Sequence, residues 1–487
     1  MRKLKKVTLV TIVFGFTLLF ISTAQAQFVV TKTADTADGT CDADCSLREA
    51  IIAANAAVGA NTITFDPTVF ATGGAVEVIT LTITGTTATT GDLDITDSLT
   101  ITGTGARELI INGNGIDRVF DITTAGITVT ISDLSVTNGT VTGSTEGGGI
   151  RNVGILTLDR VSVRDNLLSN AVAAGVDGGG ISNSGTLTIT NSTISNNRIS
   201  ANGDGGGIRN NTGASLTITN STISDNQAGT GNGDGGGIQN SGTVSLTNVT
   251  ISNNSAGASG GGIDNVGTAT VNIRNTIVAD NTGGSNPDVS GTFTTSGGNL
   301  IGNNTGATAS FPAGNPNVNG DRVGTAAMPL NPMLGGLANN GGQTDTRALL
   351  PGSPAIDGGT TPPPSANDQR GAGFPRQSGT QVDIGAFEAA PRTAATVNVS
   401  GQVLTTDGHP VWGAVVSFID AAGTRRSAIT DELGFYLFDD VTVGETYVFD
   451  VKRKGYVFPT QVVFVIAEEN KLNFISPAPV KIRRRLF

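Results

Sequence analysis

The tetrapeptide Gly-Gly-Gly-Ile ends at Ile150, Ile181, Ile208, Ile238 and Ile263, at spacings of 31, 27, 30 and 25 residues. Two residues after each Ile stands an Asn (Asn152, Asn183, Asn210, Asn240, Asn265). An alternating stretch follows, such as Leu187-Thr188-Ile189 or Leu216-Thr217-Ile218. A third short stretch carries Ile194, Ile223, Ile251 or Val278 and ends at Asn197, Asn226, Asn254 or Asn281. Period-two alternation marks each stretch as a strand. A unit of three such strands cannot bury its apolar face alone, so successive units must stack. Equivalent strands then pair in parallel, with Ile, Leu and Val inside and Thr and Ser outside. Weaker copies at Leu99-Thr100-Ile101 and over 127–138 extend the pattern towards the N-terminus. The predicted architecture is an all-β parallel β-helix over residues 61–310, right-handed by the crossover rule.

Composition agrees where it bears on this. The chain holds 68 Gly in 487 residues without a Gly-X-Y period, which excludes collagen and fits tight turns between short strands. Residues 27–394 carry 15 Lys/Arg against 30 Asp/Glu, while 395–487 carry 10 of each. An acidic body excludes nucleic acid as a partner, because phosphate binding needs clustered cations. It leaves divalent cations and basic surfaces open.

Residues 1–26 read as a signal peptide: Arg2, Lys3, Lys5 and Lys6, the apolar run Val7–Ile21, then Ala24-Gln25-Ala26 as a small-x-small cleavage site. The mature chain is expected to begin at Gln27, secreted or on the cell surface, with no transmembrane span. In that oxidising setting Cys41 and Cys45 are expected to form a disulfide rather than a metal site, since the single His409 lies in another domain. Residues 27–60 form an N-terminal cap. Ser46-Leu47-Arg48-Glu49 is a capping box opening a short amphipathic helix with Leu47, Ile51 and Ala54 on one face. Such a helix covers the open first edge of a stack.

The repeated Asn residues read as turn residues and as hydrogen-bond ladders between coils. A second row, Glu146, Asp177, Asp204 and Asp234, stands just before successive Gly triplets, with Ser259 ending the series. Adjacent carboxylates stacked about 5 Å apart repel by about 0.8 kcal/mol in water and about 3 kcal/mol at an effective dielectric of 20. Exposed, the row is tolerable and needs no ion, with Arg151 and Arg209 beside it. Partly buried, it calls for a cation, and Ca²⁺ suits oxygen ligands in flexible geometry.

Catalysis on this body lacks a focus. Carboxylates recur on every rung with none singled out, and the coils contain no Lys or His. The only Trp and Tyr, Trp412, Tyr436, Tyr447 and Tyr456, lie beyond residue 400, so they are the candidate glycan contacts, with core packing the competing use. Residues 395–477 contain seven short strands and read as a separate β-sandwich. Residues 478–487 are a basic tail, read as a solvated end or a contact for an acidic envelope surface.

Several stretches resemble known families. Cys45-Ser46-Leu47-Arg48-Glu49-Ala50-Ile51 followed by Ala54-Asn55 resembles the CSLREA-type N-terminus of exported bacterial β-helix proteins. The Gly-Gly-Gly-Ile and Ile-Ser-x-Asn units are similar to repeats of polymorphic outer membrane proteins, with Gly for the usual Ala and without the usual Phe. Leu337-Ala338-Asn339-Asn340-Gly341-Gly342, Leu349–Asp357, Asp368-Gln369-Arg370-Gly371 and Asp383–Glu388 resemble the choice-of-anchor Q domain. That resemblance implies a secreted or surface-attached protein without assigned chemistry, and residues 311–390 then form the C-terminal part of the solenoid. There Asp357, Asp368 and Asp383 are expected to pair with Arg370 or Arg376, with coordination of a cation the alternative use. Gly401-Gln402-Val403, Gly408-His409-Pro410, Gly413-Ala414-Val415-Val416 and Thr430–Tyr436 resemble a carboxypeptidase regulatory-like domain, implying a transthyretin-like, Ig-like or carbohydrate-binding-like fold without catalysis. The β-helix itself is shared with the pectin-lyase-like enzymes, although fold alone does not imply their activity. The expected function is non-catalytic adhesion, or binding to an extracellular glycan or cell-envelope surface. The alternatives are a polysaccharide lyase or glycoside hydrolase using clustered Asp with an Arg, and an architectural envelope protein.

Overall fold

In the computed structural model, which describes residues 25–85, 90–143, 146–169, 177–200, 202–361, 365–389, 396–419, 425–443, 445–465 and 471–476, the Ile-x-Asn triplets stack in register. Ile150 pairs with Ile181, Ile181 with Ile208, Ile208 with Ile238 and Ile238 with Ile263, always in parallel. Leu93–Ile95 and Phe120–Ile122 precede them and Val289–Ser290 follows, giving an eight-strand ladder with seven parallel steps. A second ladder stacks Leu156, Leu187, Leu216, Val244 and Val271. A third stacks Val136, Val163, Ile194, Ile223, Ile251 and Val278. Their apolar side chains are buried together in one continuous cluster. At about 1.5–3 kcal/mol for each fully buried aliphatic side chain, these rows are the main stabilising term of the parallel β-solenoid.

The Gly triplets serve two needs. Gly178 takes φ +84°, a left-handed turn conformation that costs Gly least. A Cβ on Gly179 would sit 2.5 Å from the carbonyl oxygen of Gly206 in the next coil, so the coils can approach only where no side chain intervenes.

The stack begins earlier than expected. Gln27–Val30 pairs in parallel with Asn61–Phe65, so it is the first rung rather than part of a separate cap. Between these strands lies helix α1, Leu47–Ala56, opened by the capping box: the Ser46 hydroxyl accepts from the Glu49 N–H, and the Glu49 carboxylate accepts from the Ser46 N–H. Leu47, Ala50, Ile51 and Ala54 of α1 join the solenoid core. Arg48 is buried, pairs with Asp35 at 2.7 Å and donates to the carbonyls of Gly91 and Asp92. Cys41 and Cys45 are joined by a disulfide. The expected leader, except Gln25 and Ala26, lies outside the described residues, as does the basic tail.

Residues 331–388 correct the expectation that 311–390 continue the solenoid. The stack ends where Arg322–Val323 pairs with Leu300–Ile301. Beyond it the chain turns back as a strap along the outside of the third ladder. The strap contains an antiparallel hairpin, Leu334–Ala338 with Thr346–Leu349. Thr360 donates to Asn275, the Ala386 N–H donates to Thr250, Arg347 pairs with Asp225 at 2.9 Å, and Arg107 pairs with Asp345 at 2.6 Å. Gln369 is the clasp. Its amide nitrogen lies 3.0–3.1 Å from Ser192 O, Thr193 Oγ1, Thr344 Oγ1 and Asp345 O, and its oxygen accepts from the Thr222 hydroxyl at 2.6 Å. Gly385 has φ +100° and lies so close to the coils that a Cβ would be 2.7 Å from Thr250 Oγ1.

Residues 389–487 form a second compact unit. One sheet holds Phe435–Thr442, Thr396–Thr405 and Phe474–Ser476; the other holds Arg425–Ile429, Val415–Ile419, Glu445–Lys452 and Gln461–Val465. Between the sheets pack Val403, Phe418, Tyr436, Phe438, Tyr447, Phe449 and Phe474, with Phe418 edge-on to both Phe438 and Tyr447. Helix α1 is the one α-helix among the described residues, and none there is long and apolar enough to cross a membrane.

Candidate functional site

The row Glu146, Asp177, Asp204 and Asp234 lies on successive coils, and its side chains are largely committed. Asp177 Oδ1 accepts from the Asp204 N–H, Asp204 Oδ1 from the Asp234 N–H, and Asp234 Oδ1 from the Ser259 N–H, at 2.7–2.9 Å. Glu146 accepts from the Ser182 hydroxyl at 2.7 Å. Arg209 lies 3.5 Å from both Asp177 and Asp204, so a guanidinium already compensates this part of the row. Burial raises the Asp177 carboxyl above its ordinary range, against the Asp204 N–H and Arg209. Burial and the charge of Asp204 raise Asp234. The four expected Ca²⁺ ligands are therefore spread one to a coil, with each Asp holding the next coil by a backbone hydrogen bond.

Inside this row lies another that the repeats do not advertise. The middle residues of the eight-strand ladder are Asp94, Asp121, Arg151, Ser182, Arg209, Gln239, Asp264 and Ser290, in register. Asp121, Ser182, Gln239 and Asp264 are buried. Burial pushes Asp264 up to about 6, against a hydrogen bond from Ser290. Asp92, Asp94 and Asp121 bring carboxylate oxygens within 4.8 Å of one another, the one such acidic group among the described residues. Their cation is Arg118, itself buried, at 3.0 Å from Asp92 and 3.1 Å from Asp121, with Arg151 a further 3.1 Å from Asp121. Burial still raises Asp92 to about 7 despite Arg118. The shared apolar-Asp-Ile pattern of Leu93-Asp94-Ile95 and Phe120-Asp121-Ile122 is the sequence signal that marks this cluster.

The open polar surface is elsewhere, on the outward face of the second ladder. Thr130, Thr157, Thr188, Thr217, Ser245 and Asn272 form its central row, in register and partly or fully exposed. Flanking positions add Thr186, Thr243 and Thr270 on one side and Thr190, Thr219 and Thr247 on the other. Parallel strands place one set of these groups every ~4.8 Å along the stack.

In the strap, Arg370 pairs with Asp368 at 2.6 Å and lies between the rings of Phe374 and Phe387, 4.1 and 3.8 Å from their centroids. Arg376 pairs with Glu388 at 3.2 Å, both buried. Asp383 accepts from the Asp357 N–H at 2.7 Å. These groups lock the strap to itself.

The four candidate glycan aromatics separate in the second unit. Tyr436 and Tyr447 are core residues whose hydroxyls donate to Leu472 O and Thr442 O, so neither presents a face for stacking. Trp412 is 60% exposed, and Tyr456 is half-buried beside Phe458. Only the latter pair of candidates is available at the surface. His409 is exposed in its turn and lies 3.1 Å from Asp407.

Residues 398–475 match the carboxypeptidase regulatory-like domain. No curated protein matches the chain.

Proposed function

We propose that this chain is an exported, non-catalytic binding protein that adheres to an extracellular glycan or cell-envelope surface through the outward threonine face of its solenoid. Residues 1–26 serve as its signal peptide, and the CSLREA-type and choice-of-anchor Q-like stretches belong to a surface-attached or secreted architecture. The observation that carries this reading is the in-register row Thr130, Thr157, Thr188, Thr217, Ser245 and Asn272, one hydrogen-bonding group per coil on an open sheet. Single hydroxyl contacts in water are weak. A polymer lying along the stack meets many of them at once, and linked contacts multiply.

The burial of two acids in these rows favours binding over cleavage. Asp177 and Asp264 are 3% and 6% exposed, so a substrate cannot reach them without moving the coils. The enzyme alternative, a polysaccharide lyase or glycoside hydrolase, draws on one observation: Asp204, with 29% of its side chain exposed, lies 3.5 Å from Arg209, an accessible acid beside a cation.

A glycan array probed with the full chain tests the reading. Thr157→Val, Thr188→Val and Thr217→Val together remove hydroxyls from strand positions where Val is well tolerated. The triple variant is expected to lose at least about tenfold in apparent affinity through lost multivalency. Unchanged binding would place the contact elsewhere, and no binding to any array member would favour an architectural role.

A further inference from the structure

Trp412 is the only Trp in the chain and stands 60% exposed on the second unit. Large aromatic rings left in water are uncommon away from contact surfaces. Its neighbourhood is built around it. The Arg453 guanidinium lies 5.6 Å from the ring centroid and donates to Gly413 O at 3.0 Å. Gly413 has φ +66°, and a Cβ there would sit 2.7 Å from Arg453 Nη1, so Gly makes room for the guanidinium. Gly413, next in sequence to Trp412, and Arg453 line a shallow depression of about 550 Å³ together with Lys452, Lys454, Tyr456 and Phe458. Lys452 and Lys454 are exposed. Among the described residues, none of these three cations is ion-paired to a carboxylate. Residues 27–394, by contrast, carry twice as many carboxylates as cations.

We propose that this depression binds an acidic glycan, with sugar carboxylates meeting Lys452, Arg453 and Lys454 and a ring face resting on Trp412. The proposal rests on the glycan reading above and names the class of sugar. Aromatic faces accept the apolar side of a sugar ring, and the cations select for charge. A nucleic acid offers rings and anions too, but residues 395–487 carry as many Asp and Glu as Lys and Arg, short of the clustered cations that a long chain of phosphates needs.

The test is calorimetric titration of the full chain with an oligomannuronate, its neutral methyl ester and an oligothymidylate of similar length. The acid is expected to bind at least about tenfold more tightly than the ester, with added salt closing the gap. Lys452→Gln with Lys454→Gln should weaken the acid by about tenfold and leave the ester unchanged, as expected for two exposed charges. Trp412→Ala should weaken both sugars. Equal affinity for acid and ester would overturn the acidic selection while leaving glycan binding intact. Acid binding unmoved by either variant would remove the depression as its site. Tighter binding of oligothymidylate would replace the sugar with nucleic acid. Failure of both sugars to bind would count against this proposal, and the array result would then decide the broader reading separately.

Discussion

Asn226 carries on one side chain what the repeated Asn positions do throughout the stack. Its Oδ1 accepts from both the backbone and the side-chain amide of Asn197, and its Nδ2 donates to Asn254 Oδ1 and Ile194 O. The chain of amides runs one way, from Asn166 through Asn197, Asn226, Asn254 and Asn281, and ends on the Asp288 carboxylate at 2.9 Å. Asp288 Oδ1 suits a terminus because it accepts both the backbone and the side-chain amide of Asn281. Asn226→Ala leaves the buried Asn197 backbone N–H without its acceptor and takes one donor each from Asn254 Oδ1 and Ile194 O. It should cost about 3–5 kcal/mol in chemical unfolding, while exposed Thr217→Ala stays within about 0.5 kcal/mol. Equal small losses would show that the ladder contributes little. These ladders were legible because the same residue recurs at each coil. Asp288 was not, because a terminus occurs once. The half-buried row from Asp94 to Ser290 was also hidden, since its residue types vary from coil to coil while only its register is constant.

At the scale of elements, strands and cap helix followed from period, turn residues and the Ser46–Glu49 box, because each signal is local. The strap did not. Its Gly- and Pro-rich sequence has no period, and its position is set by contacts far along the chain, such as Gln369 with Ser192 and Thr222. Gln369 is 2% exposed. Gln369→Ala should open the strap before the coils: limited proteolysis is expected to cut first within 331–388, leaving a protected fragment that holds the stacked strands. Simultaneous loss of coils and strap would mean that the strap is integral to the solenoid. The sandwich was equally legible, with all seven strands expected, yet Tyr436 and Tyr447 show that composition alone cannot separate a core ring from a surface one.

For the whole molecule, the buried acids set an unusual pH dependence. Burial raises Asp92, Asp288 and Glu388 to about 7 and Asp264 to about 6 in the folded state. An acid whose folded value exceeds its unfolded one binds protons more tightly when folded. Its stabilising contribution is full below the unfolded value and is lost as pH rises through the folded one. Glu49 acts oppositely: burial raises it, but hydrogen bonds from Ser46, Asp38 and Thr36 outweigh that and hold it at about 2, so its contribution fades as pH falls below about 4.5. The melting temperature should therefore rise as pH is lowered from about 7.5 to about 5 and fall again under stronger acid. A scanning calorimetry series with a flat or falling trend over the first interval would contradict the burial of these carboxyls.

The burial of Asp177 and Asp264 underlies the claim that the solenoid holds glycans without cutting them. The most direct measurement is prolonged incubation of the full chain with polysaccharides that it binds on the array, following new reducing ends and unsaturated products. Binding with no product above buffer is the predicted result. Product formation that disappears in Asp177→Asn, Asp204→Asn or Asp234→Asn would contradict it and make the acidic row a catalytic one.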